Sequence, residues 1–174
     1  HGASKGKFVP LYHFEQMFKG SELFTGAALD GVPQDISDDE VAAMPDGAGM
    51  MICPWNKELA WFPSDLHLNG APFEACSRNI LKRQLAEAAD MGFIFNLGIE
   101  TEFFVLRPDD QGKPVPYSDR DSMGKPCYDV PIMMDNLPII DELVQAMTDL
   151  GWGVYSFDHE DANGQYEFDF MYAD

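Results

Sequence analysis

Two short acidic runs contain the side chains of this sequence that are best suited to chemistry. The first run holds Glu100 and Glu102, and the second, residues 159–170, holds Glu160 and Glu167. Both runs predict strands, in which side chains two positions apart lie on the same face. Like charges at this spacing repel each other and lose hydration when they are half-buried. Divalent cations such as Mg²⁺ or Mn²⁺ prefer carboxylate oxygens and would offset that repulsion.

The second run predicts a hairpin, because Glu160 and Glu167 flank Asn163 and Gly164, a strong turn dipeptide. If the hairpin pairs into the same sheet as the first run, all four carboxylates converge. Paired metal ions at such sites commonly serve phosphoryl transfer. The alternative is a solvated acidic sheet face that holds no metal. Neighbouring aromatic residues favour the metal site because they imply burial nearby: Phe103, Phe104, Phe168 and Phe170.

The composition is that of an acidic globular protein. Its 174 residues include 30 Asp and Glu against 11 Lys and Arg, for a net charge of -19, which disfavours nucleic acid as a partner. No apolar run reaches the roughly 18 residues of a spanning helix, so neither a membrane partner nor a signal peptide is expected. The cysteines are odd in number and form no CxxC pair, which favours a reduced, cytoplasmic protein.

The first 70 residues predict a small, sheet-rich unit. Its predicted elements are an edge strand over 5–10, a short helix over 12–19, loops over 21–45, and strands over 50–54 and 59–62. Residues 74–91 then have the apolar periodicity of a helix that ends at Gly92. This helix leads into a strand that should deliver the first acidic pair to the core of a sheet.

The remaining chain predicts a second helix followed by the hairpin. Residues 107–126 are polar and predict a long exposed loop, and residues 136–150 predict an amphipathic helix with Pro138 in its first turn. Strands are predicted over 152–158 and 165–172. In the last strand acids alternate with aromatic residues, so the aromatic face should pack on helices and the acids should lie on the opposite face. Three roles are open to His159, as a metal ligand, a base or a hydrogen-bonded structural residue, and the structural role is favoured. Tyr128 is interpreted as a core-packing residue.

The two runs resemble signatures of the glutamine synthetase family. Residues 98–104 are similar to the family's GxExEFF strand, and residues 159–170 are similar to its HEVAxGQxEIDF hairpin. Residues 1–10 resemble the D-x-x-G-x-x-R-G-K-x-V-P strand of the amino-terminal domain. The resemblance covers nearly the whole chain, and the particular residues within its motifs are similar to those of the branch that includes γ-glutamylmethylamide synthetases.

The resemblance implies an α+β fold with two domains. Residues 1–70 would form a β-grasp-like amino-terminal domain, and residues 71–174 the first part of a catalytic β-barrel domain with flanking helices. The implied activity joins glutamate to ammonia at the expense of ATP, through a γ-glutamyl phosphate. Two alternatives stay open: methylamine as the acceptor, and a non-catalytic acidic homologue that only binds metal.

The resemblance also implies roles for individual residues. Glu102, Glu160 and Glu167 would hold one Mg²⁺ or Mn²⁺ ion, and Glu100 would help to hold a second ion on the nucleotide phosphates. Tyr128 would line the ammonium or amine pocket. An acid from a neighbouring subunit would complete that pocket; the candidates, left open, are Asp38, Asp39 and Glu40.

The resemblance further implies a homo-oligomer, a dodecamer of stacked rings, whose small-molecule partners are glutamate, ATP and ammonia or a small amine. The family's later His-rich and Arg motifs have no match in these residues. We therefore expect the 174 residues to be a fragment of a longer protein and to be inactive alone.

Overall fold

The computed structural model describes residues 4–172. They form two compact units, one of residues 4–53 and 57–95 and the other of residues 54–56 and 96–172. Residues 1–3 of the family-like opening lie outside the described range. The predicted edge strand over 5–10 is wrong, because these residues have no regular structure and lie mostly exposed without a paired neighbour strand.

The first unit is built from short strands and two helices. Its strands, in chain order, are β1 (Leu23–Phe24), β2 (Val41–Pro45), β3 (Met51–Ile52), β4 (Ala60–Trp61), β5 (Ser64–Leu68) and β6 (Ala71–Pro72). An antiparallel sheet has the strand order β1-β2-β5-β6, and β3 pairs with β4, each within one of the strands predicted over 50–54 and 59–62. The predicted early helix is present as α1, Phe14–Met17, after a 3-10 turn at Leu11–His13. The prediction of loops throughout 21–45 is wrong, because Val41 and Ala43 of β2 point into the core.

Helix α2, Ser77–Asp90, confirms the predicted helix over 74–91 in most of its length. Its buried Asn79 ties it to the sheet, since the amide donates to the carbonyl oxygens of Leu66 (2.8 Å) and Phe73 (3.1 Å). The core beside it contains Val32, Val41, Phe73 and Cys76. The apolar positions of α2 predicted from the periodicity do not enter that core: Leu81 is 53% exposed.

The second unit contains a three-stranded sheet, a hairpin and one long helix. Its elements, in chain order, are β7 (Thr101–Phe104), β8 (Leu106–Pro108), β9 (Pro114–Pro116), α3 (Val130–Asp149), β10 (Val154–His159) and β11 (Gln165–Phe170). The sheet has the antiparallel order β10-β11-β7, and β8 pairs with β9. The predicted long exposed loop over 107–126 is therefore wrong in part. It contains most of a hairpin, and its Ser118 and Asp121 are buried.

Strand β7 starts later than the sequence indicated. Residues 93–100 have no regular structure, so Glu100 precedes the strand and Glu102 lies within it. Since β7 is at one end of the order β10-β11-β7, the prediction that it delivers the acids to the core of a sheet is wrong for the described residues. Phe104 is 54% exposed rather than buried.

Helix α3 begins six residues before its predicted start. The carboxylate of Asp129 caps it by accepting a hydrogen bond from the backbone N–H of Ile132 at 3.0 Å. Pro131 lies in the first turn, where its missing N–H costs nothing. Pro138, predicted for the first turn, lies inside the helix.

The core of the second unit lies between α3 and the aromatic face of the sheet. Ile140, Tyr166 and Phe168 are buried there, and the rings of Phe103 and Phe168 stack with centroids 4.9 Å apart. The alternation predicted for the last strand is thus confirmed: aromatic residues pack on the helix, and acids occupy the other face.

The described residues form a mixed α/β fold, and their sheets do not close into a barrel. The β-grasp-like character of the amino-terminal part and the boundary at residue 70 stay predictions. Among residues 4–172, no helix has the length and apolarity needed to cross a bilayer.

Candidate metal centre

Three carboxylates form a row across the three-stranded sheet. Asp158 on β10 pairs with Glu167 on β11, and Glu167 pairs in turn with Glu102 on β7. Residues directly opposite each other on antiparallel strands share a face, and like charges in these positions destabilise the sheet. The hairpin and the first acidic run therefore belong to one sheet, and their acids share one face.

A closer group within this face has the geometry of a cation site. One oxygen each from Asp158, Glu160 and Glu167 lies within 4.8 Å of the others, and all three residues are half-buried. Glu160 directly follows β10, and its N–H donates to the carbonyl oxygen of Gln165 at 2.9 Å, which closes the hairpin turn.

The negative charges of this group are close enough to raise the pKa values of two of its members. A proton shared with the Glu160 carboxyl, partial desolvation and the charge of Glu100 raise the pKa of Glu167 to about 7. Burial, with the charges of Glu160 and Asp169, raises the pKa of Asp158. The raised pKa means that Glu167 keeps a proton up to near neutral pH.

The donor set fits Mg²⁺ or Mn²⁺. These ions prefer oxygen ligands, and the group offers carboxylates only. The Oδ1 atom of Asp158 is buried and has no hydrogen-bond partner among residues 4–172. A buried, unpartnered carboxylate oxygen is costly, and coordination of a cation would compensate it.

The two acids of the first run differ in their placement. Glu102 is exposed, and its carboxylate accepts a short hydrogen bond from the side-chain amide of Gln165. Glu100 is exposed as well and lies before β7, yet its charge reaches Glu167. The structure therefore brings Glu160 and Glu167 together, with Glu102 beside Glu167 in the sheet and Glu100 at the edge of the group.

Tyr128 lies at the acidic face and not in the core, so its interpretation as a packing residue is wrong. The residue is 66% exposed, and the negative charges of Asp158 and Glu160 raise the pKa of its hydroxyl. Its backbone has φ 63°, a left-handed conformation that is strained for a residue with a side chain. Its N–H donates to the carbonyl oxygen of His159 at 3.0 Å, which links it to the end of β10.

The three candidate acids for a neighbouring pocket lie in the first unit. Asp38, Asp39 and Glu40 are exposed just before β2 and line a surface cavity of about 560 Å³. Glu40 accepts from the Thr25 hydroxyl at 2.8 Å, and Asp39 from the Asn69 amide at 3.1 Å. The three are not part of the Asp158–Glu160–Glu167 group.

Sequence reasoning missed Asp158, although a signal was available. Asp158 stands two residues before Glu160, the spacing that places side chains on one face of a strand. The interpretation of His159 as a structural residue agrees with the structure, because its ring is fully buried and Nε2 lies 2.8 Å from a carboxylate oxygen of Asp121. No short-range pattern pointed to Asp121 itself, which lies 38 residues away.

Comparison with known proteins yields consistent matches. Residues 74–174 match the family model for the glutamine synthetase catalytic domain. A glutamine synthetase of Rhizobium meliloti (strain 1021) is 38% identical over 176 residues, which cover 99% of this chain. A glutamate–methylamine ligase of Methyloversatilis universalis is 33% identical over 175 residues, which cover 100% of this chain. The chain spans 39% of the length of each relative.

Solved structures agree with these matches. The ligand-free structure of GmaS has a TM-score of 0.90 and 36% identity, and the match covers 99% of this chain and 40% of that chain. A glutamine synthetase of Plasmodium falciparum, at 16% identity, covers 95% of this chain and 37% of that chain with a TM-score of 0.67, which shows the fold alone.

Fold and site together define a class: a mixed α/β protein that presents crowded carboxylates on one face of an antiparallel sheet. The family match includes more than half of the residues. The chain belongs to the glutamine synthetase family.

Proposed function

We propose that the protein, at its natural length, is an ATP-dependent ligase that joins glutamate to ammonia through a γ-glutamyl phosphate. One observation carries the proposal: the carboxylates of Asp158, Glu160 and Glu167 converge within 4.8 Å. They do so in residues that match the glutamine synthetase catalytic domain. The names of the relatives supply the two candidate acceptors, ammonia and methylamine.

The proposed metal ligands are the acids of the shared sheet face. Glu102, Glu160 and Glu167 would hold one Mg²⁺ or Mn²⁺ ion, and Glu100 would contribute to a second. Asp158 joins the first set because its buried Oδ1 has no other partner within residues 4–172. When bound, the dications offset negative charge on the glutamate and on the phosphates of ATP.

The chain's own residues then bind and orient the acceptor. Tyr128 is proposed to line the amine pocket, since its exposed ring stands where the charges of Asp158 and Glu160 act. A cation such as ammonium is attracted to such a face, and a carboxylate there can take its proton before the amine attacks. Asp38, Asp39 or Glu40 would supply a further acid to the pocket of a neighbouring subunit in the proposed dodecamer.

The test is product formation by the protein at its natural length. ATP, glutamate and ammonia should yield ADP and glutamine, which are measured by chromatography and mass spectrometry. Glu160→Gln and Glu167→Gln should each lower turnover by about 100-fold or more, since loss of even an indirect metal contact costs about 10–100-fold. Asp110→Asn, an exposed acid in the β8–β9 connection, is the matched control. Undiminished turnover in Glu167→Gln would overturn the proposal.

Methylamine is the second candidate acceptor, because one relative is named a glutamate–methylamine ligase. One methyl group changes discrimination by only about 1–3 kcal/mol in an apolar pocket. The ratio of kcat/KM for ammonia and methylamine decides between them, and Tyr128→Phe should alter this ratio. A protein that binds Mn²⁺ but forms neither product would be the non-catalytic homologue.

A further inference from the structure

Asp121 is a buried carboxylate that lies off the acidic face, in the connection between β9 and α3. The residue is 6% exposed, and its side chain only 1%. A buried charge is tolerated only when hydrogen bonds or an opposite charge compensate its lost hydration. The partners of Asp121 therefore indicate its role.

Those partners come from the end of β10 and from the β10–β11 turn. Oδ2 lies 2.8 Å from Nε2 of His159 and accepts a 2.5 Å hydrogen bond from the N–H of Gly164. Oδ1 accepts from the side-chain amide of Asn163 at 2.7 Å. The same amide also donates to the carbonyl oxygen of Met123 at 3.1 Å. One carboxylate thus connects both sides of the turn to the preceding loop.

His159 extends this connection to Glu160. Its Nδ1 lies 2.8 Å from the carbonyl oxygen of Glu160, and its ring packs edge-on against Tyr166 with centroids 5.0 Å apart. The imidazole is 0% exposed, so its orientation is fixed by packing as well as by hydrogen bonds. The backbone of Glu160 is therefore held through His159 by Asp121.

Glu160 needs this support more than the other acids do. Asp158 and Glu167 lie within paired strands, whose ladder fixes their positions. Glu160 lies in the turn, where its N–H bond to Gln165 is supplemented by the contacts through His159. A change in turn geometry would move Glu160 relative to the other two.

We propose that Asp121 is a positioning residue that fixes the β10–β11 turn and thereby holds the Glu160 carboxylate beside that of Glu167. The inference rests on the proposed function, in which these two carboxylates share a divalent cation. Groups that orient metal ligands without touching the metal typically contribute about 10–100-fold to metal affinity.

The isosteric variant Asp121→Asn tests this role sharply. The carboxylate accepts from donors on both of its oxygens, from His159 and Gly164 on one and from Asn163 on the other. An amide offers one accepting oxygen, and its NH₂ group faces donors on the other side. Asp121→Asn therefore loses the hydrogen bonds on one side of the residue while keeping the shape of the side chain.

The experiment uses the protein at its natural length and two readouts. Electron paramagnetic resonance gives the Kd for Mn²⁺, and hydrogen exchange of the metal-free protein reports the mobility of residues 159–165. Asp121→Asn should raise the Kd by about 10–100-fold and speed exchange in this segment. Ser118→Ala is the matched control, because the buried Ser118 lies in the same loop and bonds Asp135, at 2.7 Å, rather than the turn. It should keep the wild-type Kd.

Each result has a defined meaning. If Asp121→Asn keeps the wild-type Kd and exchange rates while Glu167→Gln binds Mn²⁺ more weakly, the role of Asp121 is overturned and the metal site is not. Equal Kd values for the wild type and Glu167→Gln would overturn the metal site, and with it the proposed function. If circular dichroism shows that Asp121→Asn is unfolded, Asn163→Ala replaces it. That variant removes the hydrogen bond from Asn163 to Asp121 and should show a smaller rise in Kd. An unchanged Kd would overturn the inference.

Discussion

Asp158 and Glu167 lie directly opposite each other across β10 and β11. Cross-strand partners on one face have Cβ atoms about 4.5–5.5 Å apart, so two carboxylates in these positions repel each other. Glu102 extends the same row on the other side of Glu167. The sheet is therefore least stable when all three are ionised, and a proton or a cation relieves the strain.

Removing one charge from the row should have opposite effects on stability and on metal binding. Asp158→Asn is expected to raise the Tm of the metal-free protein at pH 8, because one repulsive charge is lost. It should weaken Mn²⁺ binding by about tenfold or more, because an oxygen donor is lost. Calorimetry measures both quantities. Asp110→Asn should change neither, and a lower Tm in Asp158→Asn would contradict the repulsion argument.

Metal binding should depend on pH through Glu167, whose pKa is raised to about 7 by Glu160, desolvation and Glu100. Below that pH the cation must displace a proton, so the Kd for Mn²⁺ should fall as pH rises and level off above about 7. Titration at pH 6 in buffers of different ionisation enthalpy should show proton release that Glu167→Gln abolishes. Equal proton release in the variant would assign the proton to another group.

The raised pKa of Glu167 also predicts how the stability of the metal-free protein depends on pH. The folded state binds the Glu167 proton more tightly than the unfolded chain, whose pKa is near 4.5. The free energy of unfolding should therefore decrease as pH rises from about 4.5 to about 7 and stay constant above it. Thermal unfolding at several pH values, compared with Glu167→Gln, measures this contribution. A flat difference between the two proteins across this interval would refute it.

The helix beneath the acidic sheet should be essential for its stability. Ile140 of α3 is fully buried against Tyr166 and Phe168. Ile140→Ala should lower the free energy of unfolding by about 2–5 kcal/mol, through lost burial and the cavity left behind. Urea unfolding measures the change. Leu143→Ala, in the same helix but 39% exposed, should cost clearly less.

The hairpin turn should require glycine at position 164. Gly164 has φ 82°, and an added Cβ would lie 3.0 Å from Leu106 Cδ2 and 3.3 Å from the carbonyl oxygen of Val105. Gly164→Ala should destabilise the protein by at least about 1–2 kcal/mol, the usual cost of a left-handed residue with a side chain. Gly124→Ala, where the space is open, is the control for thermal unfolding. Equal Tm values for the two variants would contradict the prediction.

Mixing of inactive subunits tests whether an acid of the first unit serves a neighbouring site. One of Asp38→Asn, Asp39→Asn and Glu40→Gln should be inactive alone. Reassembled with Glu167→Gln subunits in equal amounts, it should regain activity in roughly a quarter of the sites. In random assembly around a ring, that is the share of sites in which one subunit has an intact Glu167 and its neighbour has the intact acid. No recovery with any of the three would place the pocket within one subunit.

The sequence by itself determined the faces of the hairpin. Glu167 and Asp169 alternate with Tyr166, Phe168 and Phe170, and a strand period of two separates such residues whatever the tertiary structure. Asn163 and Gly164 marked the position of the turn, because its last residue, Gly164, has a positive φ of 82° that glycine adopts without strain. Local chemistry is sufficient for both features.

The tertiary structure alone decided the register and the long-range partners. Pairing of Glu102 with Glu167 joins residues 65 positions apart in sequence, and a slip of one residue would have sent the acids to the helix side. Asp121 reaches His159 across 38 residues, and no local pattern marks that contact. The apolar stripe of α2 was read correctly as helical, yet its exposure depends on which surfaces lie beside it. Periodicity specifies which residues share a face, whereas only packing specifies what that face meets.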